Sequence, residues 1–135
     1  MSDWSIYLLV SSIGRTYVGY TRTATLLRRL RQHNGEIKGG AKATRFGRPW
    51  VMVASVDGLQ KRPALQLEWR MHRRYPGPRG IGSRLNQLAA ALNLRQWTST
   101  APLVASITSL RLSWYSESLT VPNNLEQWLQ PTDSV

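Results

Sequence analysis

The chain has 135 residues, 41% of them hydrophobic, which is enough for one domain with a real core and argues against disorder. Eighteen lysines and arginines oppose seven acidic residues, a formal charge of +11, so a polyanion is the first partner to consider, and the preponderance of arginine suits phosphate geometry. No apolar run approaches the ~20 residues of a membrane span, the N-terminus lacks a secretory pattern, and zero cysteines exclude disulfides and thiolate zinc sites, so a soluble intracellular protein (nucleus, cytoplasm or nucleoid according to host) is expected.

The segment "SIYLLVSSIGRTYVGYT" predicts two strands, over 5–11 and 16–20, joined by a turn containing Gly14. Side chains alternate faces along a strand, so Tyr7 and Tyr17 share a face if the loop has an odd number of residues, for example Ile13-Gly14-Arg15. An even loop separates them. Either tyrosine alone reads as a half-buried strand residue.

Thr23 or Thr25 is placed to cap a helix running to about His33. Leu26, Leu30 and His33 fall on one face, and Arg29 is one turn before His33 beside that stripe. Arg28 and Arg31 read as a solvated face. A histidine at a helix C-terminus also has a bland explanation, since the dipole favours it there. Residues 34–49, "NGEIKGGAKATRFGRP", have four glycines and no period, and form a long basic loop whose amides and cations suit a phosphodiester backbone. Residues 50–56 predict a buried strand.

A second helix is predicted over 61–74, ended by "YPGPRG". Its stripe through Ala64, Leu65, Met71 and His72 passes through Glu68. A carboxylate on an inward face needs a partner: one of the many arginines, or a metal ion. Spacing does not choose between them. A divalent ion held by one carboxylate, waters and substrate phosphate fits the habits of magnesium. Beyond the breaker, 83–93 predicts a helix capped by Ser83, 109–115 a half-buried strand and 123–130 a short closing helix. "YPGPRG" divides the chain into a core over 1–78 and an accessory extension, packed on it, over 79–135.

Taken in order, "SIY" at 5–7, "YVG" at 17–19, "RRLRQHN" at 28–34, "KGGAKATRFGRPW" and "ALQLEW" at 64–69 resemble the GIY-YIG nuclease family. The wording of "RTYVGYT", "RQHNGEIKGGAKAT", "GRPW" and "ALQLEW" is most similar to its structure-selective branch, which cuts flaps and Holliday junctions. The resemblance covers about residues 4–74. Ser5 stands where the family has its name-giving glycine. The chain cannot hold the cysteine-rich RING of eukaryotic members of that branch.

The resemblance implies an α+β fold: a small three-stranded sheet flanked by helices, here with an α/β C-terminal extension. It implies a metal-dependent endonuclease using one divalent ion, Mg²⁺ or Mn²⁺, with in-line attack by water on branched or duplex DNA. Tyr7 would be the general base and Tyr17 its orienting neighbour. Arg29 would stabilise charge on the phosphate, His33 would orient or share the proton work, and Glu68 would hold the metal. A free tyrosine titrates near 10, so Tyr7 as base calls for nearby positive charge. Arg22, Lys38, Lys42, Arg45 and Arg48 would contact the DNA backbone. A homodimer or a scaffold subunit has no support in the sequence. The competing readings are a non-catalytic nucleic-acid-binding module and a GIY-YIG nuclease of mobile-element or restriction type.

Overall fold

The structure is a computed structural model that describes residues 1–129; the end of the expected closing helix and extension, 130–135, lies outside the described residues. Strand β1 spans Trp4–Ser11, β2 Thr16–Arg22 and β3 Trp50–Leu59, with helix α1 at Leu26–His33 and α2 at Lys61–Met71. Helix α3 covers Ile81–Leu92, and strand β4 covers Arg111–Trp114. The strands pair antiparallel in the order β2-β1-β3-β4, and an isolated parallel bridge joins Leu112 of β4 to Leu129.

The sheet therefore has four strands where three are expected. The fourth comes from the extension and pairs along the outer edge of β3, from Ala54 opposite Trp114 to Asp57 opposite Arg111. Without it, the longest strand would present an unpaired apolar edge. A polar knot joins β4 to β1 and β3. The Asp57 carboxylate accepts from Ser5 (2.6 Å), Ser55 (2.8 Å) and Ser113 (2.5 Å) hydroxyls, so three hydroxyl donors replace the water it lost. Ser5, in the place of a family glycine, thereby ties β1 to this carboxylate.

Strand alternation sorts the core. Ile6 and Leu8 of β1 join Val18, Val56, Ala64, Leu67, Met71, Leu88, Leu92 and Leu112 in the main cluster under α2 and α3. Tyr7 and Leu9 point the other way, into a second cluster with Leu26 of α1 and Trp50. Buried Trp97 donates to the Ala91 carbonyl (2.9 Å), while Arg70 forks onto the Trp97 carbonyl (2.7 and 3.0 Å), binding α2 to the chain beyond α3.

Several local expectations are corrected. Thr25 stands at the N-cap of α1, but its hydroxyl donates to the Arg22 carbonyl and meets Thr21; Thr23 meets Ser5. Helix α3 begins after Gly80, not Ser83, because Gly80 adopts φ 124° and turns the chain out of "YPGPRG". The inward stripe of α2 is Ala64, Leu67 and Met71; Leu65 is half-buried and His72 exposed, which moves Glu68 to the stripe's rim, 22% exposed. Residues 123–128 form a 3₁₀ helix. Among the described residues, no helix is long and apolar enough to cross a membrane.

Candidate active site

The hairpin register places Tyr7 opposite Gly19 and Leu9 opposite Tyr17. Ser11 donates its N–H to the Arg15 carbonyl (2.8 Å), so three residues, 12–14, make the turn and Gly14 takes φ 82°. The loop is odd, one residue earlier than Ile13-Gly14-Arg15, and the two tyrosines share a face with ring centroids 6.3 Å apart. Gly19 makes this arrangement fit. A Cβ there would run into the Tyr7 hydroxyl and ring, so only glycine lets the tyrosine lie across the neighbouring strand.

Helix α1 brings His33 against both rings, with centroids 5.8 Å from Tyr7 and 4.8 Å from Tyr17. His33 is fully buried. Its Nε2 lies 2.7 Å from Tyr7 Oη, and its Nδ1 lies 2.8 Å from Thr44 Oγ1. Thr44 gives its one hydroxyl proton to the Ala41 carbonyl (2.8 Å). It must therefore accept from His33 Nδ1–H, which leaves Nε2 as an acceptor for the Tyr7 hydroxyl. The protons are fixed along the line Tyr7, His33, Thr44, Ala41. Burial, reinforced by the Arg29 and Arg48 charges, holds the imidazole neutral by lowering its pKa to about 4.

The two tyrosines respond to the same surroundings. Burial pushes the Tyr7 pKa up to about 12, and the nearby Arg29 guanidinium only partly opposes it. Burial also raises Tyr17, against Arg29 and with added repulsion from Glu68. Positive charge near Tyr7 is present, as expected, but desolvation outweighs it, so Tyr7 is a phenol rather than a phenolate at neutral pH.

Arg29 is half-buried and anchored by Gln32 Oε1 and the Gly39 carbonyl (2.9 Å). Its charge acts on Tyr7, Tyr17 and His33, while that of Glu68 acts on both tyrosines. Five expected residues thus converge. The partner of Glu68 is not an arginine: its carboxylate lies 4.0 Å from His72 Nε2, and burial raises its pKa while His72 opposes the rise. Among the described residues there is no group of three or more His, Asp or Glu side chains suited to hold a metal. One accessible carboxylate fits a magnesium-like ion that keeps waters and takes substrate oxygens, and not a closed zinc site.

The basic residues divide. Lys38, Arg45 and Arg48 line one concavity of about 440 Å³ beside α1, and Arg48 donates to the His33 carbonyl (2.9 Å). Lys42 is exposed at the start of the 3₁₀ turn that carries Thr44. Arg22 sits at the far end of β2, paired with Asp3 (2.8 Å) and stacked over Trp4, apart from the others. Sequence reasoning missed two residues. Gly19 had a signal, an isolated glycine in a strand. Thr44 had none, since its role depends on the loop folding back over His33.

Residues 3–76 match the family described as "GIY-YIG catalytic domain", and the chain belongs to that family. Among curated relatives, the "Structure-specific endonuclease subunit SLX1 homolog" of Leishmania infantum is 50% identical over 70 residues, covering 47% of this chain and 10% of its own length. The "Structure-specific endonuclease subunit slx1" of Schizosaccharomyces pombe is 50% identical over 68 residues, covering 47% of this chain and 24% of its own length. The "Structure-specific endonuclease subunit SLX1" of Malassezia globosa is 36% identical over 106 residues, or 74% of this chain and 24% of its own length. The chain spans about a tenth to a quarter of the length of these relatives.

Proposed function

We propose that this chain is a metal-dependent DNA endonuclease that hydrolyses phosphodiester bonds near branch points such as flaps, forks and Holliday junctions, in DNA repair or recombination. The observation that carries the reading is the buried Tyr7–His33–Thr44 line beside Arg29 and Glu68. The imidazole satisfies the buried phenol, and what favours catalysis over packing alone is that this line lies beside both Arg29 and Glu68. Preference for branched DNA rests on the relatives, which are named structure-specific endonucleases.

In this reading Tyr7 Oη accepts a proton from the attacking water as its own proton passes to His33 Nε2. The imidazolium so formed keeps its bond to Thr44. The relay needs no standing phenolate, which suits a tyrosine titrating at about 12. Tyr17 orients the water, and Arg29 neutralises charge growing on the phosphate. Glu68 would hold a divalent ion, Mg²⁺ or Mn²⁺, which would supply Lewis-acid stabilisation of the leaving oxygen. Lys38, Lys42, Arg45 and Arg48 follow the backbone of the cut strand, and Arg22 touches DNA farther along. Residues 79–135 act as an accessory extension on a nuclease core over 1–78. The relatives are named subunits, so a partner chain, or a second copy, completes the working enzyme inside the cell.

The test is a panel of labelled flap, fork, Holliday-junction and linear duplex DNAs, each with Mg²⁺, Mn²⁺ or EDTA. Metal-dependent cuts near the branch are expected. Tight binding with no cutting under either metal would favour a binding module, or a nuclease that waits for its partner chain.

A further inference from the structure

A second cationic site lies outside the residues considered so far. A pocket of about 450 Å³ sits between the β1–β2 turn and the start of α3, lined by Arg15, Arg73, Arg79 and Arg84 together with Ser83 and Gln87. No aspartate or glutamate among the described residues lines it. Among the described residues, none of the four guanidinium groups has a carboxylate within 4.0 Å; the ion pairs of this chain lie elsewhere.

Arg84 is the anchor. It is half-buried, and among the described residues its bonds go to neutral groups: Thr16 Oγ1 (3.2 Å), the Met71 carbonyl (2.8 Å) and Gln87 Oε1 (3.1 Å). Gln87 is itself held by the Met71 and Arg73 carbonyls (3.0 Å each). Desolvation lowers the Arg84 pKa, a cost that no counter-charge within the described residues offsets. A fixed cation with neutral supports, three more arginines around it, and the uncapped start of a twelve-residue helix make a site for a doubly coordinated anionic oxygen.

Its position relative to the candidate active site gives the anion an identity. Thr16, which Arg84 holds, adjoins Tyr17 on β2, and their side chains point to opposite faces. Arg73, two residues beyond the end of α2 and five after Glu68, stacks on exposed Trp69 (4.6 Å). The pocket thus lies across the edge strand from the tyrosines. We propose that the Arg15/Arg73/Arg79/Arg84 pocket binds a backbone phosphate of a second DNA segment, an arm of the branched substrate other than the one being cut. This rests on the nuclease reading above and names where branch selectivity is built.

The test compares the full chain with the Arg15→Ala/Arg79→Ala double variant, two exposed residues outside the catalytic group. Binding to a flap and to a linear duplex is measured in EDTA across a salt series, parent cutting of the flap is measured with Mg²⁺, and Gly80 and Ser83 amides are followed by NMR during titration with inorganic phosphate. Loss of one phosphate contact predicts a flap salt slope shallower by about 0.9, with about tenfold weaker flap binding and little change on duplex. Flap binding and slope unchanged in the variant, with no phosphate-induced amide shifts and a parent that still cuts, would overturn the pocket and leave the nuclease reading standing. An equal loss on flap and duplex would overturn the second-arm assignment. Saturation by inorganic phosphate without any effect of the variant on DNA binding would make the ligand a free anion instead. A parent that neither binds nor cuts the flap would remove both readings.

Discussion

Tyr7 Oη and His33 Nε2 are 2.7 Å apart, and the proton between them belongs to the tyrosine because Thr44 already occupies the other side of the imidazole. Both rings are buried, and burial keeps both neutral. A neutral pair with one shared proton is suited to relay chemistry: the phenol gives up its proton only as it gains another.

Thr44→Val keeps the shape and removes the acceptor for His33 Nδ1–H. The tautomer is then unspecified and the Nδ1 proton buried without a partner, at about 1–3 kcal/mol. DNA cleavage is expected to fall at least about tenfold. Nitrogen NMR of His33 should show mixed tautomers, and parent-like activity with a single tautomer would remove Thr44 from the relay.

Gly19→Ala puts a methyl group where the Tyr7 hydroxyl and ring now lie. Tyr7 must swing away or β2 must separate from β1. The expected result is a folded protein, by circular dichroism, that binds DNA and cuts it about 100-fold more slowly. Retained cleavage would mean that Tyr7 need not occupy this position.

Ser5→Gly restores the family's residue and takes one donor from the buried Asp57 carboxylate. A hydrogen bond to a charged group contributes roughly 1.5–3 kcal/mol, and the glycine adds backbone entropy to the unfolded chain. Urea unfolding should show a loss of about 2 kcal/mol, with cleavage at a permissive temperature unchanged. Loss of activity without loss of stability would assign Ser5 to the site instead.

The pH dependence follows from the two shifts. The pKa of His33 is about 4 in the folded chain against an ordinary 6.5, so between these values the unfolded state binds more protons. Its contribution is complete above pH 6.5 and is lost as pH falls toward 4. Tyr7 has the opposite sign: its stabilising effect is complete below pH 10 and is lost as pH rises through about 12. Urea titrations of the parent and of His33→Gln from about pH 4 to 7 should show the acid loss in the parent and a smaller one in the variant. Parallel curves would mean that the imidazole is not held neutral.

Much of this site is legible in the sequence. The order of Tyr7, Tyr17, Arg29, His33 and Glu68 follows from motif and period, and the structure brings these five together. The hairpin parity is not legible, because turn length decides it and "SSIGRT" permits more than one. Glu68 illustrates a different limit: helical period places it on a stripe, but only packing against the sheet shows that the buried line is Ala64, Leu67 and Met71, with Glu68 on the rim. The fourth strand falls within the half-buried strand expected over 109–115, but that it covers an edge of β3 and meets Asp57 leaves no local pattern. Thr44 and Arg84 act through contacts 11 and 68 residues away in sequence, beyond the reach of any periodicity.

The most direct measurement is Glu68→Gln on a labelled flap, with cutting followed in Mg²⁺ and binding followed in EDTA. The substitution removes one negative charge from a very basic protein and leaves every arginine in place. Cleavage abolished, with flap binding equal to or tighter than the parent's, is the predicted result. Equal cutting by variant and parent would contradict the metal-bearing role of Glu68 and, with it, the catalytic site described here.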